Sequence, residues 1–302
     1  MKIYAIDIGS NSVRLAAMAD GKTLFKRLIT TRLGEGLSST CMLSAEAIER
    51  TAQAVSKFVR IAESDGADKV YAFATAAVRS AKNGGDFVLR AKQLCGIDID
   101  VISGETEALC GISGACNGGD GGIIDVGGAS TEVSIRADGK MLYSKSVDVG
   151  TVRLFDLAGR DKSKLMKTIS AKIKDYALFD AGSFRMHAIG GTASRLGSIK
   201  HGLKEYRPEI TDGNVLTLEE ILNLADKLLS MSVGEIRATT ICGSSADIVG
   251  GGCLLTAEVM RRFNVGEITV SESHNLQGYV LLKERRLRRL LQQCCLLFPP
   301  PY

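Results

Sequence analysis

One signature is written twice in this chain, 118 positions apart. Ile6-Asp7-Ile8-Gly9-Ser10-Asn11-Ser12 returns as Ile124-Asp125-Val126-Gly127-Gly128-Ala129-Ser130, and Ala19-Asp20-Gly21-Lys22 returns in the same register as Ala137-Asp138-Gly139-Lys140. Two copies of one supersecondary unit follow from this. Each copy starts as a buried strand, makes a glycine turn, and continues as a second strand into an Asp-Gly hairpin, where glycine tolerates positive φ. Each turn brings backbone N–H groups, a hydroxyl and one carboxylate to a single point. Such turns suit phosphate, with the carboxylate suited to a metal rather than to the anion. Two facing turns would clamp one phosphate chain between two domains.

Composition narrows the class. A chain of 302 residues is long for one core and natural for two domains. A formal charge of +4 permits an anionic substrate without arguing for nucleic acid, and with no Trp and 5% aromatics a base-stacking platform is not expected. The eight cysteines form no Cys-x-x-Cys pair, although Cys294-Cys295 are adjacent. They are read as reduced thiols of a cytoplasmic protein. His187, His201 and His274 lack ligand-like spacing, so zinc is not expected. No signal peptide or membrane span is expected either. Gly21-Lys22-Thr23 mimics the end of a nucleotide P-loop, but it falls on a hairpin and is read as a decoy.

Periodicity gives alternating strands and helices. Lys2–Ile8, Val13–Met18 and Thr23–Ile29 read as a meander, followed by a helix over Ala45–Ser64 capped by Ser44. Strand Lys69–Ala74, helix Asp86–Leu94, strand Ile99–Ile102 and helix Glu105–Ala115 complete the first half. The run Asn117–Gly122 is the expected boundary and hinge, giving domains 1–118 and 119–302. The second half is expected to hold helices near Lys162–Ala177, Leu218–Ser230, Ala246–Phe263 and His274–Leu291, with strands near Arg185–Ile189 and Glu267–Val270. The class is α/β: two duplicated domains with an interdomain cleft, the last helix returning to the first domain.

Several segments together resemble a known group. Asp7–Ser12, Ala74-Thr75-Ala76-Ala77-Val78-Arg79, Ile102-Ser103-Gly104-Glu105-Thr106-Glu107-Ala108 and Asp125–Glu132 carry the resemblance, joined by Gly150-Thr151-Val152-Arg153-Leu154 and Ile189-Gly190-Gly191-Thr192-Ala193. The chain resembles the exopolyphosphatase and guanosine pentaphosphate phosphohydrolase family. That family belongs to the superfamily of actin, sugar kinases and heat-shock chaperone ATPases, with actin-like, ribonuclease H-like domains. The resemblance runs from residue 3 to about 283. Longer members carry a further C-terminal helical domain, and this chain reads as the short form.

The resemblance implies a set of roles. Glu107 matches the second Glu of a Ser-Gly-x-Glu-Glu-Ala motif, the family's catalytic base, whereas Thr106 replaces the first Glu and Glu105 is variable. Asp125 and Glu132 stand beside it as further catalytic residues. Gly9, Ser10, Asn11, Ser12, Arg79, Gly127, Gly128, Ala129, Ser130, Thr131, Arg153, Gly190, Gly191 and Thr192 are expected to bind phosphate. Asp7, Asp125 and Glu132 around a polyanion would repel it unless Mg²⁺ or Mn²⁺ intervened, so they are the expected metal ligands. Ala129 replaces a third glycine, Leu109 stands where many relatives have Arg, and Val270–Gly278 lacks the usual Asp-Arg and Arg-Glu pairs. These departures bear on substrate affinity.

The expected function is a cytoplasmic, metal-dependent hydrolase releasing terminal phosphate from linear polyphosphate. Guanosine pentaphosphate hydrolysis is the nearest alternative, then a nucleotide-dependent kinase or ATPase, then a non-catalytic polyphosphate or alarmone sensor. No nucleic-acid or membrane partner is expected, and a homodimer is compatible. The basic run Lys283–Leu290 reads as a solvated helix end rather than as a contact for anionic lipid or polyphosphate, and Phe298–Tyr302 as a disordered or extended tail.

Overall fold

The two halves are built on one plan, repeated down to its irregularities. The computed structural model describes residues 1–285. The helix expected to run on to Leu291, Cys294-Cys295 and the Phe298–Tyr302 tail therefore lie outside the described residues. The chain divides into two compact units, one of Met1–Gly114 with the segment from Asn275, the other of Ala115–His274.

The first unit contains β1 (Lys2–Ile8), β2 (Ser12–Ala19), β3 (Lys22–Thr30), α1 (Leu37–Thr40), α2 (Ala45–Ser64), β4 (Lys69–Ala74), α3 (Ala76–Ser80), α4 (Gly84–Cys95), β5 (Ile99–Val101) and α5 (Gly104–Ala115). A helix over residues 275–285 completes it. Its sheet runs β3-β2-β1-β4-β5, with β1 antiparallel to β2 and parallel to β4. Central β1 is buried on both faces, as a strand between two helical layers must be. One face packs on α2, α3 and α4 through Ala52, Val55, Phe58, Ala77 and Phe87. The other packs on α5 and residues 275–285 through Ile3, Ala5, Phe73, Cys110, Leu276 and Tyr279. The start of the basic C-terminal run is tied down there: Glu284 accepts from Lys69 at 2.9 Å and Tyr71 at 2.7 Å, and Lys283 pairs with Asp100.

The second unit contains β6 (Gly121–Val126), β7 (Thr131–Ala137), β8 (Lys140–Val147), α6 (Thr151–Ala158), α7 (Lys162–Lys172), β9 (Met186–Ile189), α8 (Gly190–Lys200), α9 (Pro208–Thr211), β10 (Val215–Thr217), α10 (Leu218–Ser230), α11 (Val233–Thr239), α12 (Val249–Arg262) and β11 (Glu267–Val270). Its sheet order, β10-β11-β9-β6-β7-β8, repeats the first with β10 added. The β2/β3 pairing slips between Ala17 and Met18, and β7/β8 slips at the equivalent Ile135 and Arg136. Both hairpins turn on an Asp-Gly pair at positive φ, 50° and 78° at Asp20-Gly21, 51° and 72° at Asp138-Gly139. Gly21-Lys22-Thr23 is therefore hairpin and edge strand.

Some expected elements differ, for local reasons. The helix from Lys162 ends at Lys172 and tightens into a 3₁₀ turn, Ile173–Asp175. That break lets fully buried Tyr176 enter the core, where its hydroxyl donates to the Thr131 carbonyl at 2.7 Å. The helix expected from Ala246 begins at Val249, after the 3₁₀ turn Gly243–Ser245. Its opening Gly250-Gly251-Gly252 disfavours helix by about 1 kcal/mol per residue relative to Ala. Packing overrides this: a Cβ on Gly250 would meet Leu229 at 2.8 Å, and one on Gly252 would meet Thr151 at 3.0 Å. The six cysteines among the described residues are free. Among the described residues no helix is long and apolar enough to cross a membrane.

Candidate active site

Each loop between paired strands closes on itself identically. The Gly9 N–H donates to the Ser12 carbonyl and the Gly127 N–H to that of Ser130, both at 3.0 Å. Between them, the N–H groups of Ser10 and Asn11, and of Gly128 and Ala129, have no backbone acceptor among the described residues and are exposed. Consecutive free N–H groups in a turn form a concave donor site for an anion. The first loop is held from outside by the Thr31 and Arg32 N–H groups on the Asn11 carbonyl, at 3.0 and 2.9 Å, and by Gly34 N–H on the Ser10 carbonyl at 2.8 Å. The second is held by α6, whose Thr151, Val152 and Arg153 N–H groups donate to the Gly127 and Gly128 carbonyls at 2.9 to 3.1 Å. That engages the open N–H groups of the first helical turn with protein rather than ligand.

In the first unit, Asp7, Arg14, Arg79 and Glu107 come together. Asp7 sits near the end of β1, buried at 4%, directly across from Arg14. Burial lifts its carboxyl to about 6; the Glu107 charge adds to the rise and Arg14, 3.9 Å away, offsets part of it. Glu107 lies one turn into α5, where Ser103 caps the helix by accepting the Thr106 N–H at 3.1 Å. Thr106 thus occupies the position from which a Glu completes a capping box. Its hydroxyl meets that of Ser103 at 3.0 Å, so replacing the family's first Glu alters a cap and leaves Glu107 in place. Arg79, on α3, donates through Nη1 to the Ile102 carbonyl at 2.7 Å and to Glu107 at 3.3 Å. One guanidinium nitrogen therefore joins the end of β5 to the acid on α5. Arg14 went unassigned in the sequence because its repeat-mate is Glu132; strand register is the signal that finds it.

In the second unit, Asp125 stands directly across from Glu132, which accepts from the Ser146 hydroxyl at 2.6 Å. Gly190 opens α8 at φ 82°, and a Cβ there would lie 2.4 Å from the Asp125 carboxylate. Only glycine admits both that backbone and that approach. The Gly190-Gly191 turn is thus a helix start rather than a loop. Two expected phosphate donors face inward instead: Thr131 donates to the Val149 carbonyl at 2.5 Å and Thr192 to the Val126 carbonyl at 2.6 Å, both buried. These hydroxyls anchor the second loop because strand and helix ends need their carbonyls satisfied. Arg153 pairs with Asp148 at 3.3 Å on the surface. Sequence reasoning also missed buried Glu272, which accepts from Thr211 at 2.6 Å, Ser194 at 3.0 Å and Tyr206. Ser194 is also 3.2 Å from the Gly190 carbonyl, so Glu272 braces the start of α8.

Among the described residues no group of three or more His, Cys, Asp or Glu is gathered as a metal cage. Mg²⁺ commonly uses one or two carboxylates plus substrate oxygens, so the hard oxygen donors here fit such a cation without a cage.

The fold and the paired loops define an α/β protein of two actin-like domains. The chain belongs to the Ppx/GppA phosphatase family, which it matches over residues 14–284. It is 26% identical over 307 residues to the bifunctional 3-dehydroquinate synthase/phosphatase of Fusobacterium nucleatum, covering 92% of this chain but only 46% of that protein. It is 25% identical over 314 residues to exopolyphosphatase 2 of Mycobacterium tuberculosis, covering 93% of this chain and 98% of that one. The solved Aquifex aeolicus family member superposes with a TM-score of 0.79 at 25% identity, over 95% of this chain and 98% of that chain.

Proposed function

We propose that the protein is a divalent-metal-dependent hydrolase that releases terminal orthophosphate from linear inorganic polyphosphate. The observation that carries this is the first unit's cluster: a buried Asp7, an acid at Glu107 and a guanidinium at Arg79, beside a loop with free N–H donors. The near full-length likeness to a protein named exopolyphosphatase 2 supports the substrate.

In this reading Glu107 accepts a proton from a water that attacks the terminal phosphorus. The bridging P–O bond breaks and the shortened chain leaves as an anion. Arg79 orients Glu107 and donates to phosphoryl oxygen, and Ser10, Asn11, Gly128 and Ala129 donate backbone N–H groups to phosphate. Asp7, Asp125 and Glu132 are the carboxylates proposed to hold Mg²⁺ or Mn²⁺, which when bound offsets charge on phosphoryl oxygens.

The test is orthophosphate release, with Mg²⁺, from defined-length polyphosphate, guanosine pentaphosphate and ATP in parallel. Polyphosphate turned over fastest supports the reading. Faster release from guanosine pentaphosphate or ATP replaces it with the corresponding activity, and no release from any overturns it in favour of a binding role.

A further inference from the structure

Arg32 occupies a place its backbone disfavours. Among the described residues six non-glycine residues have positive φ, and four of these, Asp20, Asn117, Asp138 and Asn264, are of the types that tolerate it. A fifth, Cys41, caps α1. Arg32, at φ 49°, caps no helix. It is held there from both sides: Thr31 and Leu33 are fully buried, and the Thr31 and Arg32 N–H groups share the Asn11 carbonyl of the first loop. Arg50 fixes the segment further, its Nε donating to the Thr31 carbonyl at 2.6 Å.

The backbone is thus rigid while the side chain is exposed. Arg14 faces Asp7, Arg79 faces Glu107, and Glu35, three residues beyond Arg32, faces Arg50. Among the described residues the Arg32 guanidinium has neither an ion pair nor a hydrogen bond. A planar, permanently charged donor fork, its backbone one hydrogen bond from a loop whose Ser10 and Asn11 N–H groups lack a backbone acceptor, matches a phosphate oxygen pair better than a lysine would. A glycine would adopt this backbone without strain. The side chain is what arginine adds.

We propose that Arg32 is a substrate-binding residue that contacts the phosphate chain at the first loop and sets affinity for it. This rests on the polyphosphatase reading above. Phosphate oxygens reaching Arg32 and the Ser10–Asn11 N–H groups would meet donors already in position, so little ordering is needed on binding.

The test compares wild type with Arg32→Gly and Arg32→Asn, both of which suit positive φ, and with Arg60→Ala on the exposed face of α2 as a control for charge alone. The readouts are melting temperature, and kcat and KM for defined-length polyphosphate at two salt concentrations. The expected result is an unchanged or raised melting temperature for Arg32→Gly. KM should rise roughly tenfold for both Arg32 variants, with kcat changing much less and KM depending less on salt. Arg60→Ala should match wild type. Folded Arg32 variants with KM within about twofold of wild type would overturn the proposal. A wild type inactive on polyphosphate would instead overturn the functional reading; calorimetric titration with tripolyphosphate then decides for Arg32, weaker binding in Arg32→Asn supporting it and equal binding overturning it.

Discussion

Arg14 and Glu132 occupy one place in the two copies and carry opposite charge, each directly across a strand pair from an aspartate. In the first copy Arg14 offsets part of the cost of burying Asp7. In the second, Glu132 puts a second carboxylate opposite Asp125. The duplication preserved the scaffold while the copies diverged at the residue that decides local charge. The first half thus places a cation across from its aspartate, where the second half places another carboxylate.

Asp7→Asn should stabilise the protein at neutral pH while impairing turnover. The Asp7 carboxyl rises from 3.8 to about 6 on folding, so its contribution to stability is full below pH 3.8 and is lost as pH climbs through about 6. The gain from Asp7→Asn should therefore approach about 3 kcal/mol at pH 8 and vanish near pH 4. Chemical denaturation at both pH values checks this; a variant less stable than wild type at pH 8 would contradict it.

Like charges directly opposed on neighbouring strands are unfavourable by about 0.2–1 kcal/mol. Glu132→Gln should thus raise the melting temperature slightly in EDTA. In wild type, Mg²⁺ should raise the melting temperature, and Glu132→Gln should shrink that increment. Thermal scans with and without Mg²⁺ read both effects independently of turnover. An equal increment in the variant would remove Glu132 from the metal site.

Two adjacent glycines should respond oppositely to alanine. At Gly190 the new methyl would meet the Asp125 carboxylate at 2.4 Å with φ at 82°, so Gly190→Ala should displace Asp125 and lower kcat by roughly 10²-fold. At Gly191 the methyl would meet only the movable tip of Arg195, at 3.1 Å, and helix propensity favours alanine by up to about 1 kcal/mol. Gly191→Ala should keep activity and stability. Equal activity in the two variants would contradict the placement of Asp125.

Arg79→Lys should lose most of the activity despite keeping the charge. A single nitrogen, Nη1, bridges the Ile102 carbonyl and Glu107, leaving the rest of the guanidinium for a ligand. A lysine ammonium has no second planar arm to offer. Turnover should fall roughly 10–100-fold, comparably to Arg79→Ala. A lysine variant within about twofold of wild type would show that charge alone suffices.

The doubled motif made the repeated strand, turn and hairpin of each half legible, because Asp-x-Gly and Asp-Gly are fixed by backbone requirements that survive duplication. The Ala45–Ser64 helix was legible for its Ser44 cap and apolar face, and both agree with the structure. What the sequence concealed depends on distant partners. Starts at Gly190 and Thr151 do not look helical: Gly190 is glycine to admit the Asp125 carboxylate, and Thr151 packs where Gly252 of α12 leaves room for its methyl. The break after Lys172 follows from where Tyr176 must go. Glu107 was found through its motif, Arg14 only through strand register, and Glu272 only through the contacts that converge on it from Ser194, Tyr206 and Thr211.

Glu107→Gln tests the central claim most directly. The substitution keeps the size of the side chain and its capacity to meet Arg79, and removes the proton acceptor. Orthophosphate release from defined-length polyphosphate with Mg²⁺ should fall roughly 10²–10⁴-fold, with tripolyphosphate binding largely kept. A variant that retains more than about a third of wild-type turnover would contradict the assignment of Glu107 as the base.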